Sequence, residues 1–577
     1  MQLIRRIHPS ALFCALAVLL CELIAHPYTA MGIGDDGTYI LMAHTLAATG
    51  HIVYNGWGAP MLGWQLYLGA AFIKLFGFSF TTVRMSTIFI AMLIAFVLQR
   101  TLVAAGISQR NATLATLALV LSPLYLMLSA TFETDIFGLF AIVLCLYGCL
   151  RALQSTTDRS TIAWLYFAVL TNALFGSSRQ IAWLGILVMV PCTLWLLRAR
   201  RRVLLAGSAI TLIGFLFIFV CLQWLKHQPY VVQVPLLVKD FPVANALKQL
   251  GLFLLDIPFL LLPVMVLFFP TIRRSSPRIV AIISVLLLGY LFLAICPSHL
   301  RGGFSPMLEP SVGDWVTIHG VYDGMTGQWG SPHIFLNKGM RALLTFVSYG
   351  GLLGLGYSLL RSSRTPPAKE VSAGISWPQL GILLAPFTLA YLILLLSTVA
   401  TTNHLFDRYA LGLLFVPLVC LVRYYEERIQ PRLPLAAVSL VAATAIYGIA
   451  VTHNTFSLYR ARVALAAELR ANGVPDTSVD NGWEYNLLTE LQHANHINDP
   501  HIVIPAHAYT LPPLPPVSTC TMQWYDETPH IQPLYSVSFS PDECYGPAPF
   551  APMHYSLWPY RTPGTLYVIR YLPPSKP

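Results

Sequence analysis

Runs of about 18 to 22 apolar residues recur along this chain, and no other feature constrains its fold so strongly. As a helix, each run is long enough to cross a hydrocarbon core of about 30 Å. The runs fall near 11–28, 82–104, 112–130, 136–152, 161–177, 181–197, 203–222, 251–270, 279–296, 341–360, 377–397, 409–425 and 433–451, about thirteen spans in all. Composition agrees. Of the 577 residues, 56% are hydrophobic and 10% charged, whereas soluble proteins carry about 25% charged residues. A soluble enzyme and a disordered chain are thereby excluded. The expected fold class is an all-α polytopic membrane bundle embedded in a lipid bilayer.

The formal net charge of +10 invites a nucleic-acid reading, but the placement of the basic residues argues against it. Arg5, Arg6, Arg100, Arg110, Arg151, Arg159, Arg198, Arg200, Arg201, Arg202, Arg273, Arg274, Arg278, Arg361, Arg364, Lys369, Arg423, Arg428 and Arg432 lie in or beside one set of short loops. Such loops face the cytoplasm, and the N-terminus with them. Basicity follows from membrane orientation, and no basic stripe or nucleic-acid motif is present. Arg5 and Arg6 ahead of the first span also suit a signal peptide. Small-residue spacing before a cut near Ala30 is poor, so a retained first span is expected. The protein is read as a multi-pass protein of the plasma (inner) membrane.

Three long segments lie on the opposite, extracytoplasmic side: 29–81, 297–340 and the tail 452–577. Residues 1–451 form the expected membrane domain, and the tail a small α+β domain. In the tail, Ala461–Ala471 reads as a short helix stopped by Asn472-Gly473, and the stretches around Ile502–Ile504 and Leu566–Val568 read as strands. Eight of the ten cysteines sit in spans, where a thiol behaves as a small apolar group. Cys520 and Cys544 sit in the tail, where a disulfide between them can persist. No internal repeat is visible.

The chemistry-bearing residues cluster beside the spans. Asp35-Asp36 follows the first span and opens an amphipathic stretch that ends at Gly50, read as an interfacial helix with Asp36 as its N-cap. Two adjacent acids at the mouth of a bundle also form a general-base site, each raising the other's pKa. Glu133 and Asp135 occupy a loop of a few residues on the same side. Arg179, beside Gln180, lies between two closely spaced spans. Arg408 lies in His404-Leu405-Phe406-Asp407-Arg408-Tyr409, at the start of a late span. The planar guanidinium fork suits phosphate. Helix capping and interfacial anchoring are the plain alternatives for these residues. Acids and guanidinium groups around one cavity point to a phosphorylated substrate and a proton transfer. The loop 297–340 adds Arg301-Gly302-Gly303-Phe304, Glu309, Asp314-Trp315, Tyr322-Asp323 and Gln328-Trp329, which suit sugar stacking or an interfacial aromatic belt. No metal-ligand spacing is visible; transfer without a cofactor is expected, with a divalent metal left open.

These residues carry a resemblance. The run from Asp35 to Gly50 resembles the opening motif of the GT-C glycosyltransferases, in particular the protein O-mannosyltransferases and the lipid A aminoarabinose transferase. Leu66-Tyr67-Leu68-Gly69, Lys74 to Ser79 and Arg84-Met85-Ser86 resemble the stretch leading into their second span. Thr134-Asp135-Ile136 resembles their second acidic loop, and Asp407-Arg408-Tyr409-Ala410-Leu411 a motif before a late span. The likeness covers about residues 1–200 by motif and the rest by topology. A Lys-Pro-Pro element of the aminoarabinose branch is missing, its place taken by Gly58-Ala59-Pro60-Met61.

The resemblance implies a polyprenyl-phosphate sugar donor and a hydroxyl acceptor on a glycan, lipid or protein. Transfer would be a single inverting displacement. Asp35, with Asp36, would take the proton, and Arg408 and Arg179 would meet the lipid phosphate. A free Asp is a weak base at neutral pH, so its proton transfer is expected to come late. Glu133, Asp135, Gln180, His404 and Tyr409 would line the substrate. A ligase or polymerase of lipid-linked glycans is the nearest rival reading. A flippase would place ionisable residues at mid-membrane, where Glu22 and Asp256 are the candidates, and a structural scaffold is the plainest alternative.

Overall fold

The computed structural model describes residues 8–58, 63–233, 241–274, 276–300, 302, 306–311, 313–322, 329–362, 374–402, 404–430 and 434–573. Arg5, Arg6, Ala59, Pro60, Met61, Arg301, Gly303, Phe304, Asp323, Gln328, Arg364, Lys369 and Arg432 lie outside the described residues.

The chain is a helical membrane bundle with a small sheet-bearing tail. Its first half contains α1 (Pro9–Ala25), α2 (Asp36–Thr49), α3 (Gly63–Phe76), α4 (Phe80–Ala104), α5 (Gln109–Val120), α6 (Pro123–Ser129), α7 (Thr134–Gln154), α8 (Asp158–Gly176), α9 (Val190–Leu196) and α10 (Arg201–Lys226). Then follow α11 (Val243–Leu260), α12 (Leu262–Met265), α13 (Pro277–Ile295), α14 (Lys338–Ser362), α15 (Trp377–Thr402), α16 (Leu411–Arg428), α17 (Leu435–Ala471) and α18 (Trp483–Ala494). Among the described residues, 9 helices are long and apolar enough to cross a membrane.

The other expected spans are built differently. The run 11–28 is the 17-residue α1, and 161–177 is the 19-residue α8. The run 112–130 is α5 and α6, bent by 67°. Pro123 lacks an N–H and drives Ser122 into extended backbone, so the helix restarts there with the Ser122 hydroxyl accepting from the Tyr125 N–H. The run 181–197 passes through a 3₁₀ turn and a π turn before α9. The buried Asn172 amide satisfies that irregular backbone, donating to the Ala182 carbonyl at 2.9 Å and accepting from the Ile186 N–H at 3.0 Å, as non-helical backbone at membrane depth requires. The run 251–270 starts earlier, at Val243, and breaks after Leu260.

The central helix is α7, buried without interruption from Thr134 to Leu146 and packed between α4 and α8. Its buried N-terminus therefore delivers Glu133 and Asp135 into the interior.

Two expectations for the tail are corrected. Ala461–Ala471 is not a separate helix but the end of α17, which runs unbroken for 37 residues. Ile502–Ile504 forms no strand; Ile502 makes a lone bridge to Val232. The sheet comprises β1 (Val479–Asp480), β2 (Tyr535–Ser538), β3 (Met553–Tyr555) and β4 (Gly564–Arg570), in the order β1-β2-β4-β3. Within this sheet β1 and β2 pair in parallel, and Val537 of β2 sits opposite Val568 of β4. A disulfide joins Cys520 and Cys544.

Candidate functional site

At the centre of the site stands Arg408, in the 3₁₀ turn that opens α16. Its side chain is 13% exposed and its guanidinium meets three carboxylates: Asp35 at 3.6 Å, Glu133 at 3.5 Å and Asp314 at 3.5 Å. The neighbouring acid, Asp407, turns the other way. It accepts hydrogen bonds from the backbone N–H groups of Asp314, Trp315 and Val316, the shortest 2.7 Å. One dipeptide thus clamps the 314–316 loop with its first residue and gathers that loop's carboxylate with its second.

Asp35 and Asp36 part company in the same way. Asp35 is the N-cap residue of α2, a place the sequence assigns to Asp36; its side chain makes no capping bond and is 21% exposed. One carboxylate oxygen faces Arg408, and the other accepts from the Trp57 indole N–H at 3.3 Å. Asp36 is the first residue of the helix and is fully buried. Arg84 of α4 grips it with two bonds, at 2.7 and 3.0 Å. Asp36 also accepts from the Ile33 and Phe132 N–H groups at 2.7 and 3.2 Å. With all its acceptors engaged by the protein, Asp36 holds the loop together and takes no place on the cavity wall. The helix α2 is buried along most of its length.

The cavity beside Arg408 has a volume of about 390 Å³ and is lined by Asp35, Tyr39, Glu133, Thr134, Arg179, Gln180, Thr398, Phe406, Arg408 and Tyr409 among others. Arg179 pairs with Asp135 at 2.8 Å and lies over the Tyr409 ring at 5.2 Å. Asp135 thereby acts behind Arg179 and does not line the cavity. His404 is exposed and likewise does not line it. Among the described residues, no group of three His, Cys, Asp or Glu side chains is placed to hold a metal ion.

Electrostatics follow from burial. Around one guanidinium, three ionised carboxylates would be too many. Burial pushes Glu133 well above the ordinary carboxylate range and lifts Asp314 to about 8, with Arg408 opposing both shifts. At neutral pH Asp314 therefore leans toward the protonated form and offsets little of the positive charge of Arg408.

The tail reaches this site. Glu484 of α18 forms a fully buried pair with Arg462 of α17 at 3.1 Å and accepts from the Tyr459 hydroxyl. Glu484 also accepts from the Gly34 N–H at 3.3 Å, one residue before Asp35. Gly34 has φ +61, and a Cβ there would lie 3.0 Å from the Glu133 carboxylate. Sequence reasoning passed over Glu484, Trp57 and the pairing of Arg84. Only Arg84, an ionisable residue inside an apolar helix, carried a readable signal.

The family model described as dolichyl-phosphate-mannose-protein mannosyltransferase matches residues 58–227. Part of this chain is therefore similar to that mannosyltransferase family. The matched segment holds Glu133, Asp135 and Arg179; Asp35 precedes it and Arg408 follows it. No curated protein matches the chain. Several solved structures also resemble it. The S. cerevisiae protein O-mannosyltransferase Pmt1-Pmt2 complex bound to the sugar donor is 14% identical with a TM-score of 0.32, over 38% of this chain and 34% of that one, about a third of its length. Apo ArnT from Cupriavidus metallidurans is 13% identical with a TM-score of 0.38, over 81% of this chain and 80% of that one. The Archaeoglobus fulgidus oligosaccharyltransferase in the apo form is 16% identical with a TM-score of 0.41, over 90% of this chain and 64% of that one.

Proposed function

We propose that this chain is an inverting glycosyltransferase that moves a sugar from a polyprenyl-phosphate donor to a hydroxyl acceptor on the extracytoplasmic face of the membrane. The observation that carries the reading is the meeting of Asp35 and Arg408 across one edge of a cavity that Arg179 also lines. A lipid phosphosugar presents an anionic phosphate next to its anomeric carbon. The cavity offers two guanidinium groups for the first and a carboxylate for the proton released at the second.

In this mechanism the acceptor oxygen attacks the anomeric carbon as the bond to the phosphate oxygen breaks. The electron pair leaves on the phosphate, where Arg408 and Arg179 take up its charge. The acceptor proton passes to Asp35 late in the displacement, when the acceptor oxygen is already bonding to carbon and has become strongly acidic. One displacement inverts the anomeric centre. Asp36 and Asp407 act as positioning residues, and Glu133 and Asp314 keep Arg408 in place.

The test is complementation. A strain lacking this protein loses one glycan modification, identified by mass spectrometry; wild-type protein restores it, and Asp35→Asn at equal membrane abundance does not. Restoration by Asp35→Asn removes Asp35 as the base.

A further inference from the structure

On the side of Asp35 that faces away from Arg408 lies a row of three indoles. Trp57 donates to Asp35. Trp483, at the start of α18, stands edge-on to Trp57 with ring centroids 5.5 Å apart. Trp524 lies 6.3 Å from Trp483 and is 42% exposed. Two of the three come from the tail, and the row runs from a buried indole beside Asp35 to an exposed one at the surface. Glu527, in the turn that follows Trp524, sits beside Trp483 with its acidity weakened by burial and by Asp499, Asp35 and Asp526. Asp499 in turn pairs with the exposed His501 at 2.8 Å.

We infer that this row is the acceptor subsite, and that its ligand is an uncharged saccharide whose rings lie on Trp524 and Trp483 while a terminal hydroxyl reaches Asp35. Sugar rings present apolar C–H faces that match indole faces, and their hydroxyls find acceptors in carboxylates. A phosphate or uronate would meet the negative field of Asp35 and Asp526. The two oxygens of Asp35 separate the partners: one looks to Arg408 and the donor cavity, the other to the aromatic row. The tail is thus a specificity element, and the acceptor is a glycan and not a protein side chain. This rests on the reading of Asp35 as the base.

The test uses the full-length protein in lipid nanodiscs on an array of neutral glycans, anionic glycans and Ser/Thr peptides. Neutral glycans are expected to bind. Trp524 has φ 59, which Asn tolerates, so Trp524→Asn removes the indole without straining the backbone. It should weaken binding about tenfold, the loss of one stacking contact, and Trp524→Phe should keep part of it. Preferential binding of peptides or anionic glycans, no glycan binding at all, or wild-type affinity in Trp524→Asn overturns the inference. Undecaprenyl phosphate binding is measured in parallel. If it is absent while Trp524-dependent glycan binding persists, the donor assignment fails and the subsite stands.

Discussion

Asp36→Ala separates structure from chemistry at the paired acids. In the native protein Asp36 is fully buried and accepts two bonds from Arg84 and two from backbone N–H groups. Removing it leaves a guanidinium buried at 1% exposure beside the vacated site. Arg84 keeps only its bonds to the Thr29 and Met31 carbonyls. Breaking a buried pair by deleting one partner costs about 3–5 kcal/mol, and two orphaned donors add to that without summing simply. Taking about 4 kcal/mol and an unfolding entropy of about 2.1 cal/mol/K per residue, the melting temperature falls by roughly 3 °C if the chain unfolds as one unit. Less cooperative unfolding makes the local drop larger. Intrinsic fluorescence during a thermal ramp of the detergent-purified protein reads it. Arg84→Met combined with Asp36→Ala should recover most of the loss, because no unpaired charge is then buried. An unchanged melting curve in Asp36→Ala, with activity gone, refutes the argument and returns Asp36 to the reacting centre.

Asp35→Asn behaves in the opposite way: sugar transfer drops by about 10²–10⁴-fold while the melting curve stays put, and a destabilised protein argues against a catalytic role. Arg408→Gln weakens undecaprenyl phosphate binding in a titration of the nanodisc-embedded protein, and wild-type affinity takes Arg408 out of the phosphate site. The carboxyl of Asp314 ordinarily titrates near 3.8 and is raised to about 8 here, so its stabilising contribution is complete below its unfolded value and is lost as pH rises toward about 8. Thermal stability should therefore decline across that window, and Asp314→Asn should flatten the decline; an equal slope in the variant counts against it. The bridge between Cys520 and Cys544 closes a loop of 24 residues and contributes about 3 kcal/mol to the tail on chain-entropy grounds. Reduction should speed proteolysis between residues 520 and 544, and an unchanged rate speaks against this.

The membrane class was legible because apolar run length is a property of contiguous residues. The cavity residues Asp35, Glu133, Arg179 and Arg408 were visible singly, as polar groups pinned beside spans. Their partners were not. Asp36 finds Arg84 across 48 positions, and Gly34 finds Glu484 across 450, separations that no local pattern encodes. Adjacency misled at Asp35-Asp36, read as one general-base site. In Asp35-Asp36 and in Asp407-Arg408, successive side chains point to different surroundings, one to the cavity and one to the backbone. The continuity of α17 was hidden because hydropathy fades after about residue 451 while helical geometry does not.

That continuity has a mechanical result. A helix of 37 residues is about 55 Å long, and a hydrocarbon core takes up about 30 Å of it. The remaining length, roughly 25 Å, is a stiff post. Arg462 on it grips α18, Thr455 holds the Tyr322 loop, and Asn454 ties down the stretch at Trp558. Tail and cavity loops are thereby moored to one rod, at a set distance from its apolar part. For the transferase proposed above, the post would work as a gauge: a substrate whose reactive hydroxyl rides too near the bilayer, or too far from it, would miss the working plane, whatever its sugar.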